Sequence, residues 1–403
     1  MLKDNPNPHV IIFALWLLMF SASSQLMIIS PILPQIGSEL DIPEAILGTL
    51  VTGYAVMLAI FALITGPISD KVGRRRILMI GTGAMAVALF LHSFAFDYFS
   101  FLTVRSLAGA AGGVLSGASV AYVGDYFPYR RRGWANGWIA TGVAAGQIAG
   151  IPLGTVLAEW YGVHGPFALF SITMYMAFML IWLAVPQPDV QRLSGRLTPG
   201  VALRNYLTML RSTKVAAVAG CFGLMFFGVS LYIIYLPTWL TRTFGISGYE
   251  IATLFLIGGV ANVLTGPQAG RLSDRIGRKA MIIWSCVGLS VVMALTTVMV
   301  VEFWAAYLLF FLTMVLVAAR ISPFQALVTE IIPDHQRGAM MSMTIALGQA
   351  GMGIGGALAG PLFSRYGYLS NTVLGAFSVL MMGYLVWRYI PEPKIESAGE
   401  PSA

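Results

Sequence analysis

Two stretches of the chain decide its fold: residues 66–76 read GPISDKVGRRR, and residues 270–279 read GRLSDRIGRK. Each stretch ends one long apolar segment and opens the next. The second copy begins 204 residues after the first, and Tyr161-Gly162 is matched later in the chain by Tyr366-Gly367. A repeat at this spacing predicts a duplicated membrane bundle, with a substrate site between the two copies.

Composition excludes a water-soluble globular protein. Hydrophobic residues make up 57% of the 403 residues and charged residues only 10%, whereas soluble domains carry about 25% charged residues. Lipid must therefore surround most of the chain. The net charge of +7 does not indicate nucleic acid, because the basic residues fall between the apolar runs. Cys221 and Cys286 lie inside apolar runs and predict no disulfide framework.

Twelve apolar segments are long enough to cross a bilayer as helices, which takes about 20 residues each. They predict an all-α membrane protein whose twelve helices form two pseudo-symmetric six-helix bundles. We expect an N-terminal bundle at 1–185, a cytoplasmic linker at 186–213 that forms a short amphipathic helix or an irregular tether, and a C-terminal bundle with a short tail at 214–403. The predicted helices are 10–33, 45–66, 75–96, 99–123, 134–157, 165–185, 214–240, 250–270, 279–300, 302–325, 338–362 and 368–390.

The basic residues predict the orientation of the chain. Twenty of its 24 lysines and arginines fall on one side of the predicted bundle, whereas Arg242 and Arg365 fall on the other side, and Arg105 and Arg320 lie inside helices. By the positive-inside rule both termini are cytoplasmic. The first apolar run is too long for a signal peptide, so we interpret it as a membrane helix. We expect a multi-pass protein of the inner (plasma) membrane.

The duplicated motif resembles that of the major facilitator superfamily of secondary transporters, and the resemblance covers nearly the whole chain. It implies transport by alternating access, and in that family this loop is thought to act as a cytoplasmic latch. For the basic members of the motif, the alternative role is a simple turn with positive-inside charge. The residues that match the motif are Gly66, Asp70, Gly73, Arg74 and Arg75 in the first copy and Gly270, Asp274, Gly277, Arg278 and Lys279 in the second.

Two further segments resemble motifs of the family's proton-coupled members. Residues 105–113, RSLAGAAGG, resemble the fourth-helix arginine motif. The glycine-rich fifth helix partly resembles the exporters' motif, with Ile151-Pro152 in place of the usual Gly-Pro pair. That helix is expected to be either a hinge or a surface for close packing through small residues. The hinge candidates are Gly146, Gly150, Pro152 and Gly154.

Ionisable side chains inside a membrane are costly and are candidate functional residues. Arg105 and Arg320 lie within predicted helices, and the resemblance implies that helices 1, 4, 7 and 10 surround the central cavity. Two unpaired arginines there would favour a carboxylate or a phosphate. The predicted substrate-cavity residues are Gln25, Arg105, Phe226, Tyr232, Tyr235 and Arg320.

No aspartate or glutamate lies in the middle of a predicted helix, although many drug/proton antiporters of the family carry one there. Proton coupling would then depend on a peripheral acid. The candidates are Asp125, Glu330 and Asp97. For Asp125 and Glu330, the alternative is a structural salt bridge at the cytoplasmic helix ends.

We predict a secondary transporter, resembling the twelve-helix drug/proton antiporters, that exports small amphipathic molecules. The alternative is a carrier of an organic anion with cavity arginines as ligands, and the third interpretation is a non-transporting membrane protein. An enzyme is not expected, because the four histidines stand on separate segments without the spacing of metal ligands or of a nucleophile and its base. We expect a monomer, a small-molecule substrate, a proton or other coupling ion, and membrane lipid as partners, with no nucleic acid and no cofactor.

Overall fold

The computed structural model describes residues 7–188, 206–331 and 334–392, without the side chains of 66–67, 69–71, 329, 331 and 334–339. Helices are the only regular secondary structure in these ranges, and twelve are long and apolar enough to cross a membrane. The prediction of twelve spanning helices is confirmed. We label the spans α1 (Pro8–Met27), α2 (Glu44–Thr65), α3 (Arg74–Phe94), α4 (Tyr98–Tyr126), α5 (Tyr129–Tyr161), α6 (Gly165–Ala184), α7 (Thr213–Phe244), α8 (Gly248–Ile276), α9 (Arg278–Met299), α10 (Phe303–Val328), α11 (Met340–Tyr366) and α12 (Tyr368–Tyr389).

The first helix is shorter than predicted. It ends at Met27, because Pro31 and Pro34 follow and lack the amide protons that would continue the helical hydrogen-bond ladder. The chain turns instead and starts a short helix, Leu33–Glu39, with Pro34 in its first turn. The prediction of a helix through residue 33 is therefore wrong at its end. Most of the predicted linker, residues 189–205, lies outside the described residues, and 206–210 are helical.

The helices pack as two six-helix bundles with the same internal arrangement. In the first bundle α1 packs against α5 and α6, α2 against α4, and α3 against α4 and α6. In the second, α7 packs against α11 and α12, α8 against α10, and α9 against α10 and α12. The loops before α6 and α12 both turn at a glycine with a φ of 74°, Gly162 and Gly367, a conformation that glycine adopts without strain. The predicted repeat is thus present in both helix packing and loop geometry.

Helix α4 is interrupted, which the sequence did not predict. Gly117 has a φ of 72° in the left-handed region and separates Tyr98–Leu115 from Ala118–Tyr126. The first of these segments packs closely on α2. A Cβ at Gly109 would lie 2.2 Å from the carbonyl oxygen of Tyr54, and one at Gly113 would lie 2.6 Å from that of Leu58. The glycines of the RSLAGAAGG segment therefore allow the α2 backbone to approach α4.

The bundles touch through α2 with α11 and through α5 with α8. We call the end of the molecule with the Gly73 and Gly277 loops the motif end, and the opposite end the distal end. The hydrogen bonds that we find between the bundles lie in the distal half or near the middle. They join Ser30 to Ile233, Tyr235 to Glu44 and Gly48, Arg242 to Glu44, Thr52 to Gly353, Gln147 to Asn262, and Trp160 to Tyr249.

Close backbone packing accompanies these hydrogen bonds. A Cβ at Gly48 would lie 2.1 Å from the carbonyl oxygen of Gly356, and one at Gly360 would lie 2.2 Å from that of Ala45. Helix α8 packs on the later part of α5, towards the distal end, and the described residues of Tyr129–Ala145, nearer the motif end, take little part in this interface. Among the described residues, the bundles are therefore closed against each other at the distal end and apart at the motif end.

Candidate functional site

The space between the bundles at the motif end is the candidate site. The face of α5 that meets α8 includes Gln147 and Ile148, on which Gly259 packs. Thr141 and Ala145 precede Ile148 by seven and three residues, so they lie on nearly the same face of α5, one to two turns closer to the motif end. There α8 makes few contacts with α5, and this face of α5 borders the open space.

A cavity of about 520 Å³ occupies this position, between the motif-end halves of α1 and α5. Its volume lies within the range of small-molecule sites, about 300–1,000 Å³. Most of its lining is aromatic or apolar, and no carboxylate of the described residues belongs to it. We call it the α1–α5 pocket, and it is lined by His9, Ile12, Phe13, Trp16, Trp134, Trp138, Thr141 and Ala145.

Small residues bring α1 and α5 together just beyond the pocket. A Cβ at Gly146 would lie 2.0 Å from Ser23 Oγ, and one at Gly150 would lie 1.9 Å from Ser24 Oγ. Both serine hydroxyls are turned into this contact, because they bond carbonyl oxygens of α5: Ser23 that of Val143 at 3.1 Å and Ser24 that of Gly146 at 3.4 Å.

The hinge candidates lie at this contact and at an irregular stretch of α5. Gly146–Gly150 forms a π-helix that ends two residues before Pro152, whose missing amide proton interrupts the α-helical ladder. A Cβ at Gly154 would meet the Ile28 side chain at 2.7 Å. Close packing, one of the two predicted roles, is therefore visible at Gly146, Gly150 and Gly154, and the hinge role stays a prediction.

Two of the predicted cavity residues, Gln25 and Arg105, lie together at the junction of α1, α2 and α4. Arg105 Nη1 donates to the side-chain and backbone oxygens of Gln25 at 3.3 and 3.4 Å, and its guanidinium lies 4.5 Å from the ring centre of Tyr54. Gln25 Nε2 in turn donates to the Tyr54 hydroxyl at 2.9 Å. Arg105 and Gln25 are fully buried, and Arg105 Nε and Nη2 have no hydrogen-bond partner among the described residues.

Arg320 lies apart from this cluster, inside the second bundle. It is fully buried, and its guanidinium lies beside the Cys286 thiol of α9. None of its three nitrogens has an oxygen or nitrogen partner among the described residues. A thiol is only a weak acceptor, so this guanidinium is buried without compensation of its charge in the described part of the chain.

The aromatic residues predicted on α7 point in three directions. Phe226 packs against Gly348 of α11. The Tyr232 hydroxyl bonds Thr296 of α9 at 3.1 Å, within the second bundle. The Tyr235 hydroxyl bonds the backbone at the start of α2, across the distal interface.

The first motif loop contains an ion pair and a capped turn. Arg74 Nε lies 2.6 Å from Asp125 Oδ2 of α4. Gly73 has a φ of 101°, and the next helix is capped by Gln187, whose Oε1 accepts from the amide of Arg75 at 3.2 Å. Arg75 also donates to the carbonyl oxygen of Trp182 at 2.7 Å. The predicted latch residues Gly66 and Asp70 lie at positions whose surroundings are outside the described part of the structure.

The second motif loop repeats this design. Arg278 bonds Asp274 at 3.0 Å and Glu330, which lies in the helical continuation of α10 to Ile331. Gly277 has a φ of 97°, and Glu392, which follows α12 as Gln187 follows α6, accepts from the amide of Lys279 at 3.3 Å. Gly270 accepts from the Ser273 hydroxyl at 2.7 Å. Asp125 and Glu330 are thus partners of the motif arginines, in the salt bridges that were the alternative to proton transfer.

Asp97, the third acidic candidate, caps α4. Its carboxylate accepts from the amide of Ser100 at 2.8 Å, and the Ser100 hydroxyl bonds the amide of Asp97 in return. These hydrogen bonds from Ser100 hold the pKa of Asp97 below its ordinary value, because they stabilise the ionised form. Within the described ranges no group of His, Cys, Asp and Glu side chains could hold a metal ion.

Sequence reasoning missed the aromatic lining of the α1–α5 pocket. Phe13 and Trp16 are three residues apart, and Trp134 and Trp138 are four apart, so each pair lies on one helix face. That spacing was visible in the sequence, but it does not say that the two faces meet.

Comparison with known proteins agrees with this architecture. The family model of the Major Facilitator Superfamily matches residues 15–238 and 218–403. The chain is 27% identical over 369 residues to the multidrug resistance protein MdtG of Proteus mirabilis, covering 89% of this chain and 90% of the relative. It is 25% identical over 403 residues to the uncharacterized MFS-type transporter YwfA of Bacillus subtilis, covering 98% and 96%.

Solved structures show the same fold. A D-xylose–proton symporter matches with a TM-score of 0.79 at 17% identity, covering 95% of this chain and 98% of that chain. The human organic anion transporter MFSD10 matches with a TM-score of 0.70 at 17% identity, covering 95% and 100%. The chain is a multi-pass membrane transporter of small molecules, not an enzyme, and it belongs to the Major Facilitator Superfamily.

Proposed function

We propose that this transporter exports small amphipathic molecules by alternating access, in exchange for protons. The observation that carries the proposal is the one-sided opening between the bundles, whose α1–α5 pocket is aromatic and free of carboxylates. An apolar, aromatic wall binds ring systems and alkyl chains, and it leaves the hydroxyls of a sugar without partners. The name of the relative MdtG, a multidrug resistance protein at 27% identity, supports the same substrate class.

The charge distribution supports an orientation of the protein in the membrane that suits export. Basic residues are concentrated at the motif end, in and near the loops that contain Arg74 and Arg278, and such loops face the cytoplasm. We therefore assign the motif end and both termini to the cytoplasm of a cell whose inner (plasma) membrane holds the protein. The pocket then faces the compartment from which an exporter collects its substrate.

Proton coupling is assigned to the two ion pairs of the motif loops. Asp125 and Glu330 contact Arg74 and Arg278 at the end of the molecule that opens. Protonation of either carboxylate would remove its charge and release the arginine. Without the ion pair, the motif loop would no longer hold the helices at the motif end of its bundle in one arrangement. Protonation would in this way be coupled to the conformational change.

A carrier of an organic anion is the second candidate. The unpartnered nitrogens of Arg105 and Arg320 favour it, because a buried guanidinium with free N–H groups suits a carboxylate or a phosphate. In this case those arginines are substrate ligands. The charge of the transported molecule and its dependence on Arg320 separate the two candidates.

The test is transport in proteoliposomes with an imposed pH gradient. Fluorescent amphiphiles that are neutral, cationic or anionic are offered at the motif end, and protein-free liposomes serve as the control. We expect accumulation that requires the protein and the gradient and that disappears with a protonophore. Exchange of anions without a gradient, lost in Arg320→Met, would favour the carrier, and no gradient-dependent movement of any amphiphile would overturn the export proposal.

A further inference from the structure

Three aromatic rings on α1 lie in nearly parallel planes, and two of them, Phe13 and Trp16, line the α1–α5 pocket. On α1, the ring planes of Phe13 and Trp16 are within 8° of parallel at 6.1 Å between centres, and those of Trp16 and Phe20 are within 5° at 5.6 Å. Trp134 and Trp138 face them from α5. Parallel rings along one wall suit a planar aromatic molecule, which can stack in offset geometry along them.

Two polar groups inside the pocket are already engaged. Trp16 Nε1 donates to Thr141 Oγ1 at 3.0 Å, and the Thr141 hydroxyl donates to the carbonyl oxygen of Trp138 at 2.6 Å. Neither residue therefore offers a free donor to a ligand. The charged side chains near the pocket lie at its mouth, at the motif end, so a ligand's charged group is expected there.

The mouth is basic. His9 stands edge-on to Trp134 there, with ring centres 5.6 Å apart. Arg130 and Arg131 precede Trp134 by four and three residues on the same helix, so both lie one turn closer to the motif end on that side. Both arginines are exposed. Within the described ranges no carboxylate lines the pocket, so a cation would meet positive charge there without a compensating side chain among those residues.

We propose that the α1–α5 pocket binds a flat aromatic anion, with its rings on Trp16 and Trp138 and its charged group towards Arg130 and Arg131. This inference rests on the proposed function, because it names the substrate class of the same opening. It differs from the organic-anion alternative in the arginines used: those of the pocket mouth rather than Arg105 and Arg320.

The test is equilibrium dialysis of the purified full-length protein against three probes with one ring system: 2-naphthalenesulfonate, neutral 2-naphthalenesulfonamide and 2-naphthyltrimethylammonium. Empty detergent micelles correct for partitioning. We expect the sulfonate to bind most tightly and the ammonium compound most weakly. Trp138→Ala should weaken sulfonate and sulfonamide binding roughly tenfold, because it removes a stacking surface. Trp304→Ala removes another exposed tryptophan, in α10 and away from the pocket, and should change neither.

The charge is tested separately. In the double variant Arg130→Gln/Arg131→Gln, the sulfonate should bind no better than the sulfonamide, whose affinity should stay the same. The double variant Arg271→Gln/Arg275→Gln, which removes two exposed motif-end arginines of α8, should keep the preference. Tighter binding of the ammonium probe, or equal effects of the two double variants, would overturn the inference, as would equal effects of Trp138→Ala and Trp304→Ala.

Dialysis needs no gradient, so the two proposals can fail separately. If the sulfonate binds selectively but no amphiphile is transported with the gradient, only the export proposal is contradicted. If amphiphiles are transported but none of the three probes binds in a Trp138-dependent way, only the proposal of an anion site in the pocket is contradicted. Because Trp138 is half exposed, its replacement is not expected to prevent folding, and Phe13→Ala provides a second variant of the same wall.

Discussion

The hydroxyl of Tyr235 in α7 joins the second bundle to the first turn of α2. It donates to the carbonyl oxygen of Glu44 at 2.5 Å and accepts from the amide of Gly48 at 3.0 Å. That amide stands where the turn Glu44–Leu47 passes into the helix Thr49–Val72. The two hydrogen bonds can exist only while the distal end is closed, so Tyr235 stabilises one state of the transport cycle over the other.

Tyr235→Phe should shift the equilibrium towards a distal-open state by about 1–3 kcal/mol, since both bonds are lost and the Gly48 amide is left unsatisfied. The measurement is a distance distribution between spin labels at Ser38→Cys and Thr243→Cys, one on each bundle at the distal end. Tyr366→Phe, at an exposed tyrosine of α11, is the control. Identical distributions in wild type and Tyr235→Phe would refute this role.

Gly48 tests the packing that accompanies these bonds. Its Cβ position lies 2.1 Å from the Gly356 carbonyl oxygen, and a backbone atom cannot move aside as a side chain can. Gly48→Ala should therefore keep the distal end from closing and abolish transport, while each bundle stays folded. Gly266→Ala is the matched control, because no atom lies within 4 Å of its Cβ position. The same spin-label distances and a transport assay report the outcome, and a closed, active Gly48→Ala protein would contradict it.

The sequence predicted the spanning helices and the loops between them well, because the length of an apolar segment and the position of a glycine turn are local properties. Gly73 and Gly277 mark the loops, and their positive φ values agree with the predicted reversal. The interruptions of α1 and α4 also have local causes, at Pro31 and Gly117, but a run of apolar residues conceals them.

The site depends on which helix faces meet. The local sequence of each helix does not specify which face of another helix it contacts. Gln25 and Arg105 were both candidates, but Tyr54, which contacts both of them through the close α2–α4 packing, was not. Trp16 and Trp138 are ordinary aromatic residues of membrane helices until α1 and α5 pack together.

The two buried arginines should respond differently to replacement by methionine, a residue of similar length. Arg320 is buried without an oxygen or nitrogen partner in the described part of the chain, so Arg320→Met removes an uncompensated charge and should leave the melting temperature unchanged or raise it. Arg105→Met breaks the contacts with Gln25 and Tyr54 and should cost about 1–3 kcal/mol. Thermal unfolding in detergent measures both, and an equal loss in the two variants would contradict the distinction.

The ion pair between Arg74 and Asp125 should be exchangeable. Both side chains are about one-fifth exposed, so breaking the pair in Arg74→Asp or Asp125→Arg should cost about 1 kcal/mol or somewhat more, and each single variant also juxtaposes like charges. The double variant Arg74→Asp/Asp125→Arg should recover part of the stability. The melting temperatures of the wild type, the two single variants and the double variant form a double-mutant cycle. If the double variant loses as much stability as the two single variants lose together, a direct ion pair is ruled out.

Asp97 provides the pH test. Because Ser100 lowers its pKa in the folded state, the carboxylate stabilises the fold above the unfolded pKa of about 4, and this contribution is lost as the pH falls through the folded pKa. Asparagine also caps helices, so Asp97→Asn should have nearly wild-type stability at neutral pH and a weaker loss on acidification. A carboxylate that stays ionised near neutrality carries no proton there, so the pH dependence of transport between pH 6 and 8 (roughly the range of imposed gradients) should be unchanged. A flattened transport profile in Asp97→Asn would instead identify Asp97 as the coupling group.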